Sequence, residues 1–119
     1  MRKSMQVSMD EKMQECIEEC QQCHDICTMT VTHCLEMGGE HAAPDHIRLL
    51  LDCAEICQTS ANFMTRMSDM HGNVCGVCAA VCESCARDCE RFGDDKMMQQ
   101  CMEVCRSCAE SCREMAAQM

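Results

Sequence analysis

The chain is short of the residues that usually fill a protein interior. Leu, Ile, Val and Phe supply only four, four, six and two of its 119 residues. At about 13% of the sequence, combined with a net charge of -10, that composition alone reads as disorder. Basic residues are scarce as well, ten against twenty acidic ones. Such a chain cannot release counterions from phosphates, so nucleic acid and anionic membrane surfaces are disfavoured as partners. The acidic residues read instead as a solvated exterior. No apolar run follows the two basic residues of "MRKSMQVSMDEKM", so no secretory leader is legible, and no stretch approaches a membrane span. At face value the protein is cytoplasmic, where thiols stay reduced; a mature exported chain without its leader would read the same way. Strand-like alternation is missing too, and β-branched residues are few.

What the chain has in quantity is sulfur. Sixteen Cys and fourteen Met make up about a quarter of it, and both bury well, cysteine as a small hydrophobe and methionine as a flexible one. The length suits one domain, residues 1–119, and its core is expected to be built from sulfur.

Three breaks divide an otherwise helix-friendly sequence. "MGGEHAAPD" (37–45) pairs glycines that stop one helix with Pro44, the sole proline, placed to start another. "MHGN" (70–73) is the second break. In the third, "RFGDD" (91–95), Gly93 suits a C′ position and Asp94 or Asp95 suits an N-cap. The pattern predicts helices near 8–37, 45–70, 73–91 and 95–118. Connections this short make sequential helices antiparallel neighbours. The expected fold class is all-α, an up-and-down antiparallel four-helix bundle with a cysteine-lined core.

The cysteines test that scheme. Steps of three and four residues point side chains along one helical seam. The first helix carries Cys16, Cys20, Cys23, Cys27 and Cys34, with Met9, Met13, Thr30 and Met37 in the same register. On the second, the seam reads His46, Leu50, Cys53, Cys57, Ser60, Met64 and Met67. The third has Cys75, Cys78, Cys82, Cys85 and Cys89, then Phe92. The fourth has Met98, Cys101, Cys105, Cys108, Cys112, Met115 and Met119. All sixteen cysteines fall on an a or d position of their own helix, where scattered thiols would land about two times in seven. "CxxxCxxCxxxC" recurs at 16–27, 78–89 and 101–112. The thiols are therefore predicted to converge on the bundle axis.

Several chemistries could use such a column. Alanine or valine would pack equally well without the oxidation hazard, so packing alone does not explain it. A disulfide scaffold needs specific Cβ geometry, which thiols four residues apart on one helix do not offer. Zinc cancels only two of its four thiolate charges; four zincs among the sixteen thiolates would leave roughly eight buried negative charges unpaired. Ferredoxin-type iron–sulfur runs end in Cys-Pro, and no cysteine here precedes the proline. Cu(I) is soft and selects thiolate and thioether. Thiols at i and i+4 have Cβ atoms about 5–6 Å apart, a span two side chains can close around one ion. Seven such pairs exist: Cys16–Cys20, Cys23–Cys27, Cys53–Cys57, Cys78–Cys82, Cys85–Cys89, Cys101–Cys105 and Cys108–Cys112. If each ion takes two sulfurs and each sulfur bridges two ions, one Cu(I) accompanies each thiolate and the filled core is neutral.

This repeated motif, in an acidic chain of this length, resembles the bacterial copper storage proteins over nearly the whole sequence. The resemblance implies storage of many Cu(I) ions inside a cysteine-lined four-helix bundle, often in a homotetramer, with the missing leader matching the cytosolic branch. It implies no enzymatic turnover, and no nucleophile–base–orienter arrangement is visible. The alternatives are an iron–sulfur or dithiol redox protein, marked by colour as isolated, and a disulfide-stapled secreted scaffold, marked by missing free thiols. The protein that delivers or withdraws copper is not legible.

The seam methionines cluster at one end. The pole where the first and third helices begin collects Met9, Met13, Met64, Met67, Met115 and Met119, with Met5, Met70 and His71 close by. Neutral thioethers there could pass Cu(I) inward without trapping it, which would make this pole the mouth. The opposite pole holds Cys34, Met37, His46, Leu50, Cys89, Phe92 and Met98. His24 and His33 lie off the seam and are expected at the surface, His41 in a loop, and His46 and His71 near the poles. Replacing Met9, Met13, Met64 and Met67 together by leucine is expected to slow copper loading, followed by stopped-flow, without reducing the final capacity; unchanged uptake rates would remove the idea of a methionine mouth.

Overall fold

The computed structural model of the chain describes residues 2–117, and their side chains from residue 11 onward. Four helices form, α1 (Arg2–Met37), α2 (Pro44–Thr65), α3 (His71–Glu90) and α4 (Lys96–Ala117), with a single 3₁₀ turn, Gly39–Ala42, between α1 and α2. Each helix packs on two neighbours, while α1 and α3, like α2 and α4, stand diagonally opposite. The result is the expected antiparallel bundle, 56 × 22 × 19 Å. No helix among the described residues is long and apolar enough to cross a membrane.

Local chemistry explains most helix ends. Gly38 (φ 72°) and Gly39 (φ 59°) take the left-handed conformation that a side chain would resist, and Gly38 N–H closes α1 onto the Cys34 carbonyl at 3.2 Å. Pro44 opens α2 at a position where its missing N–H is not needed. Asp95 caps α4, its Oδ1 accepting from Met97 N–H at 2.9 Å and Met98 N–H at 3.3 Å.

Four boundaries differ from the sequence reading, the first being the start of α1 at Arg2, six residues ahead of the expected position. Helix α2 stops at Thr65, five residues before the expected end, because the chain closes a Schellman motif. Ser68 N–H bonds to the Phe63 carbonyl and Met67 N–H to the Met64 carbonyl, both at 3.0 Å. Met67 occupies the left-handed C′ position (φ 56°) and leaves the seam for the surface, 64% exposed. Gly93 does not serve as a left-handed C′ residue. Instead α3 runs into a right-handed cap at Arg91, and Asp95 N–H returns to the Phe92 carbonyl at 2.9 Å. Gly72, read as part of a break, lies inside the first turn of α3.

The core is the four seams pressed together. All sixteen cysteines are at most 1% exposed. Alanines follow several of them directly: Ala54, Ala79, Ala86 and Ala109 are buried beside Cys53, Cys78, Cys85 and Cys108. Small flanking residues let helix axes approach, since interaxial distance follows the side chains at the contact. Leu50, at 0% exposure, is the largest side chain wholly inside. Met67→Gly is expected to stabilise the metal-free fold by about 1 kcal/mol, because the left-handed penalty of a side chain disappears; urea denaturation of the reduced protein measures it.

Candidate metal centre

Each seam thiol meets others across the axis, so the sulfurs form a ladder instead of isolated pairs. At the methionine end Cys112 lies 3.7 Å from Cys16 and 3.5 Å from Cys20, and Cys108 stands 3.7 Å from Cys20. Midway, Cys23 is 3.8 Å from Cys53 and 3.7 Å from Cys105. Cys57 reaches Cys82 at 3.5 Å, Cys78 at 3.7 Å and, diagonally, Cys108 at 3.9 Å. Cys27 touches Cys105 and Cys101 at 3.7 and 3.9 Å. Of the within-helix pairs read from the spacing, only Cys78–Cys82, at 3.9 Å, is a short contact among those described; the shorter separations join different helices. Spacing along one helix cannot show how far each seam is turned toward its neighbours, and here the turn favours cross-helix partners.

Groups of four sulfurs lie within 4.8 Å of one another, and the groups overlap. Cys20, Cys78, Cys108 and Cys112 form one; Cys57, Cys78, Cys82 and Cys108 form the next. Cys23, Cys53, Cys57 and Cys82 share Cys57 and Cys82 with it, and Cys23, Cys27, Cys53 and Cys105 lead on to Cys27, Cys85, Cys101 and Cys105. Metal–thiolate bonds of about 2.3 Å would place two sulfurs on either side of one ion about 4.6 Å apart. Gaps of 3.5 to 4.0 Å need open only slightly. None of the sixteen thiols is in a disulfide, so every sulfur is free to bind.

The network divides the thiols by acidity. Hydrogen bonding with Cys108 and Cys112 draws Cys20 down to about 6. Bonding with Cys105 lowers Cys23, Cys53 and Cys101. In turn Cys101 holds Cys27 and Cys105 up, and Cys108 holds Cys57, Cys82 and Cys112 up. The column can thus share a few negative charges among thiols that keep their protons.

The two poles differ. At the methionine pole Met13, Met64 and Met115 are buried, and Ser60 Oγ sits 3.3 Å from Cys75 Sγ. A cleft of about 460 Å³ is lined there by Met13, Ile17, Gln21, Met64 and Met67, so Met67 stays beside its expected companions although it has left the helix. The side chain of Met9 lies outside the described residues, as do those of Met5 and Met119.

At the opposite pole the structure adds residues that the spacing did not single out as ligands. Cys34 Sγ lies 3.3 Å from His46 Nε2 and 3.5 Å from Met98 Sδ. His46 is buried, and its Nδ1–H donates to Asp88 Oδ2, leaving the Nε2 lone pair turned toward the sulfur. A carboxylate behind a histidine is the usual device for orienting a metal ligand. His46 and Met98 stood in the seam register and could have been found there; Asp88, off the seam, carried no signal. His24 and His33, expected at the surface, are half-buried and bridge helices: His24 Nδ1 lies 2.7 Å from the Ala54 carbonyl, and His33 Nε2 lies 2.7 Å from Asp95 Oδ2.

A helical bundle whose axis is a continuous file of free thiols defines a class, the cysteine-lined metal-holding bundles. Comparison with known proteins makes this specific. The copper storage protein family matches residues 9–117, and the chain belongs to that family. A solved Nitrosospira multiformis protein is 48% identical, with a TM-score of 0.87, covering 92% of this chain and 99% of its own. Cu(I)-bound copper storage protein 3 of Bacillus subtilis is 36% identical, TM-score 0.83, covering 88% and 98%. A cytosolic copper storage protein from Streptomyces lividans, with five coppers, is 34% identical, TM-score 0.82, covering 92% and 95%; it has also been loaded with ten copper equivalents.

Burial, with the charges of Asp95 and Cys101 adding to it, pushes Cys34 from its ordinary 9.0 up to about 11. An unfolded Cys34 would lose its proton near 9.0, the buried one only near 11. This group's contribution is therefore complete below about pH 9 and is lost as the pH rises toward 11. The melting temperature of the reduced, metal-free protein is expected to fall across that window; a flat profile would contradict the assignment.

Proposed function

We propose that the chain is a copper store, holding many Cu(I) ions along its axis through bridging thiolates. The observation that carries this reading is the overlap of the four-sulfur groups, in which Cys57, Cys78, Cys82 and Cys108 each belong to more than one. A ligand shared between sites suits ions placed in series and does not suit one isolated centre. Charge balance puts the filled column at about one Cu(I) per thiolate, because each ion cancels one buried charge. All sixteen cysteines are its ligands, from Cys16 to Cys112. Cys34, His46 and Met98 hold an ion where the column ends, and the methionines Met9, Met13, Met64 and Met67 pass ions in at the other pole. No turnover is involved. The protein works in the cytosol, as the Streptomyces lividans relative is described, and assembles as a homotetramer.

Loading should stabilise the fold, since metal binds the assembled column better than the open chain. After free thiols are counted, an anaerobic Cu(I) titration against a competing chelator is expected to show uptake of many ions per chain. The product should be colourless and its melting temperature much higher. Uptake of only one or two ions would refute storage, and a brown protein as isolated would favour an iron–sulfur centre.

A further inference from the structure

Beyond the thiol column, three donor atoms from three segments meet at the histidine pole. Asp95 Oδ2 accepts from His33 Nε2 of α1 at 2.7 Å and from His41 Nε2 of the 3₁₀ turn at 3.1 Å. Its other oxygen is committed to the first N–H groups of α4, so the carboxylate cannot swing and Oδ2 stays aimed at the two imidazoles. The rings stand edge to face, with centroids 6.0 Å apart at 81°. His41 is further fixed against Phe92, centroid to centroid 4.3 Å. All three side chains are largely covered, Asp95 at 15%, His41 at 18% and His33 at 29% exposure.

We propose that His33, His41 and Asp95 form a binding site for a divalent first-row cation such as Zn²⁺, separate from the Cu(I) column. Two imidazoles and a carboxylate are the donor set that such ions take, whereas Cu(I) prefers sulfur. The distances fit. Ligand atoms about 2.1 Å from a tetrahedral ion stand about 3.4 Å apart, so the present separations of 2.7 and 3.1 Å need widen by less than about 1 Å. To bind the ion each imidazole gives up the Nε2–H···Oδ2 bond to Asp95 and carries its proton on Nδ1, so that the Nε2 lone pair faces the metal. A cleft of about 460 Å³ lined by Met37, His41, Phe92 and Asp95 adjoins two of the three ligands and leaves room for a water as the fourth. Burial opposes ionisation of Asp95, but the hydrogen bond from His33 and that from Met98 hold its carboxyl below the ordinary carboxylate range.

The site is insulated from the sulfur column. Phe92 stands between the two histidine systems, 4.3 Å from His41 and 4.8 Å from His46. An ion there would staple the end of α1, the 3₁₀ turn and the start of α4 together, closing this pole without drawing on a thiolate.

Co²⁺ is a probe that reports its own ligands. Protein loaded with Cu(I) until no free thiol remains, then desalted anaerobically, is titrated with Co²⁺ and followed in the visible and near-ultraviolet. One Co²⁺ per chain is expected, with ligand-field bands but no sulfur-to-cobalt charge transfer, and added Zn²⁺ should displace it. His41→Ala should weaken Co²⁺ by more than about tenfold, since even outer-sphere partners are worth that much, while Cu(I) capacity stays unchanged. Asp95→Asn, which keeps the helix cap, should weaken it as well. Absence of ligand-field bands, charge-transfer bands from sulfur, or Co²⁺ affinity that survives His41→Ala would each overturn the assignment.

Discussion

The molecule depends on keeping a dry interior electrically neutral. Sixteen thiols lie in a column that water does not reach, and a charge placed there must be paired. In the metal-free state protons do the pairing, and contacts such as the 3.5 Å between Cys20 and Cys112 spread what charge remains. A soft univalent cation can take the place of a proton without altering that balance. A divalent ion cannot do so at the same density. The nature of the cargo follows as much from charge as from the affinity of sulfur for soft metals.

That constraint shapes the helices around it. Thiols are small, so a column of them closes only if the helices come near, and alanines beside the seam cysteines permit the approach. Aliphatic side chains are left few internal places, Leu50 being the chief one. The two poles use different chemistry because they end the column differently. One is closed by thioethers, the other by a buried imidazole backed by Asp88 and an aromatic ring. No buried side-chain nitrogen or oxygen among the described residues lacks a partner.

Much of this was legible from spacing alone. A rhythm of threes and fours fixes which face a residue occupies, and every cysteine so placed is buried. Pro44 was legible, and the N-cap was narrowed to Asp94 or Asp95, because a first-turn proline and an N-cap act through their own backbone neighbours. Met67 was not, because a Schellman closure is decided by hydrogen bonds to Phe63 and Met64 and no glycine marked it. Gly93 misled for the converse reason, a residue suited to a conformation the chain does not take. The roles of His24, His33 and Asp88 depend on partners from other helices, and a single helix's periodicity carries no information about those. The same limit hid the preference of sulfurs for cross-helix neighbours.

The column is a single file of overlapping four-sulfur groups, and its walls are sealed along their length. Anything lodged at the level of Cys53 and Cys105 has neighbours above and below it but no sideways exit. Occupants of such a file must move in order, each step waiting on a vacancy next along. Exchange with the outside is then governed by the last position at either end, and the age of an ion in the protein is written in its depth.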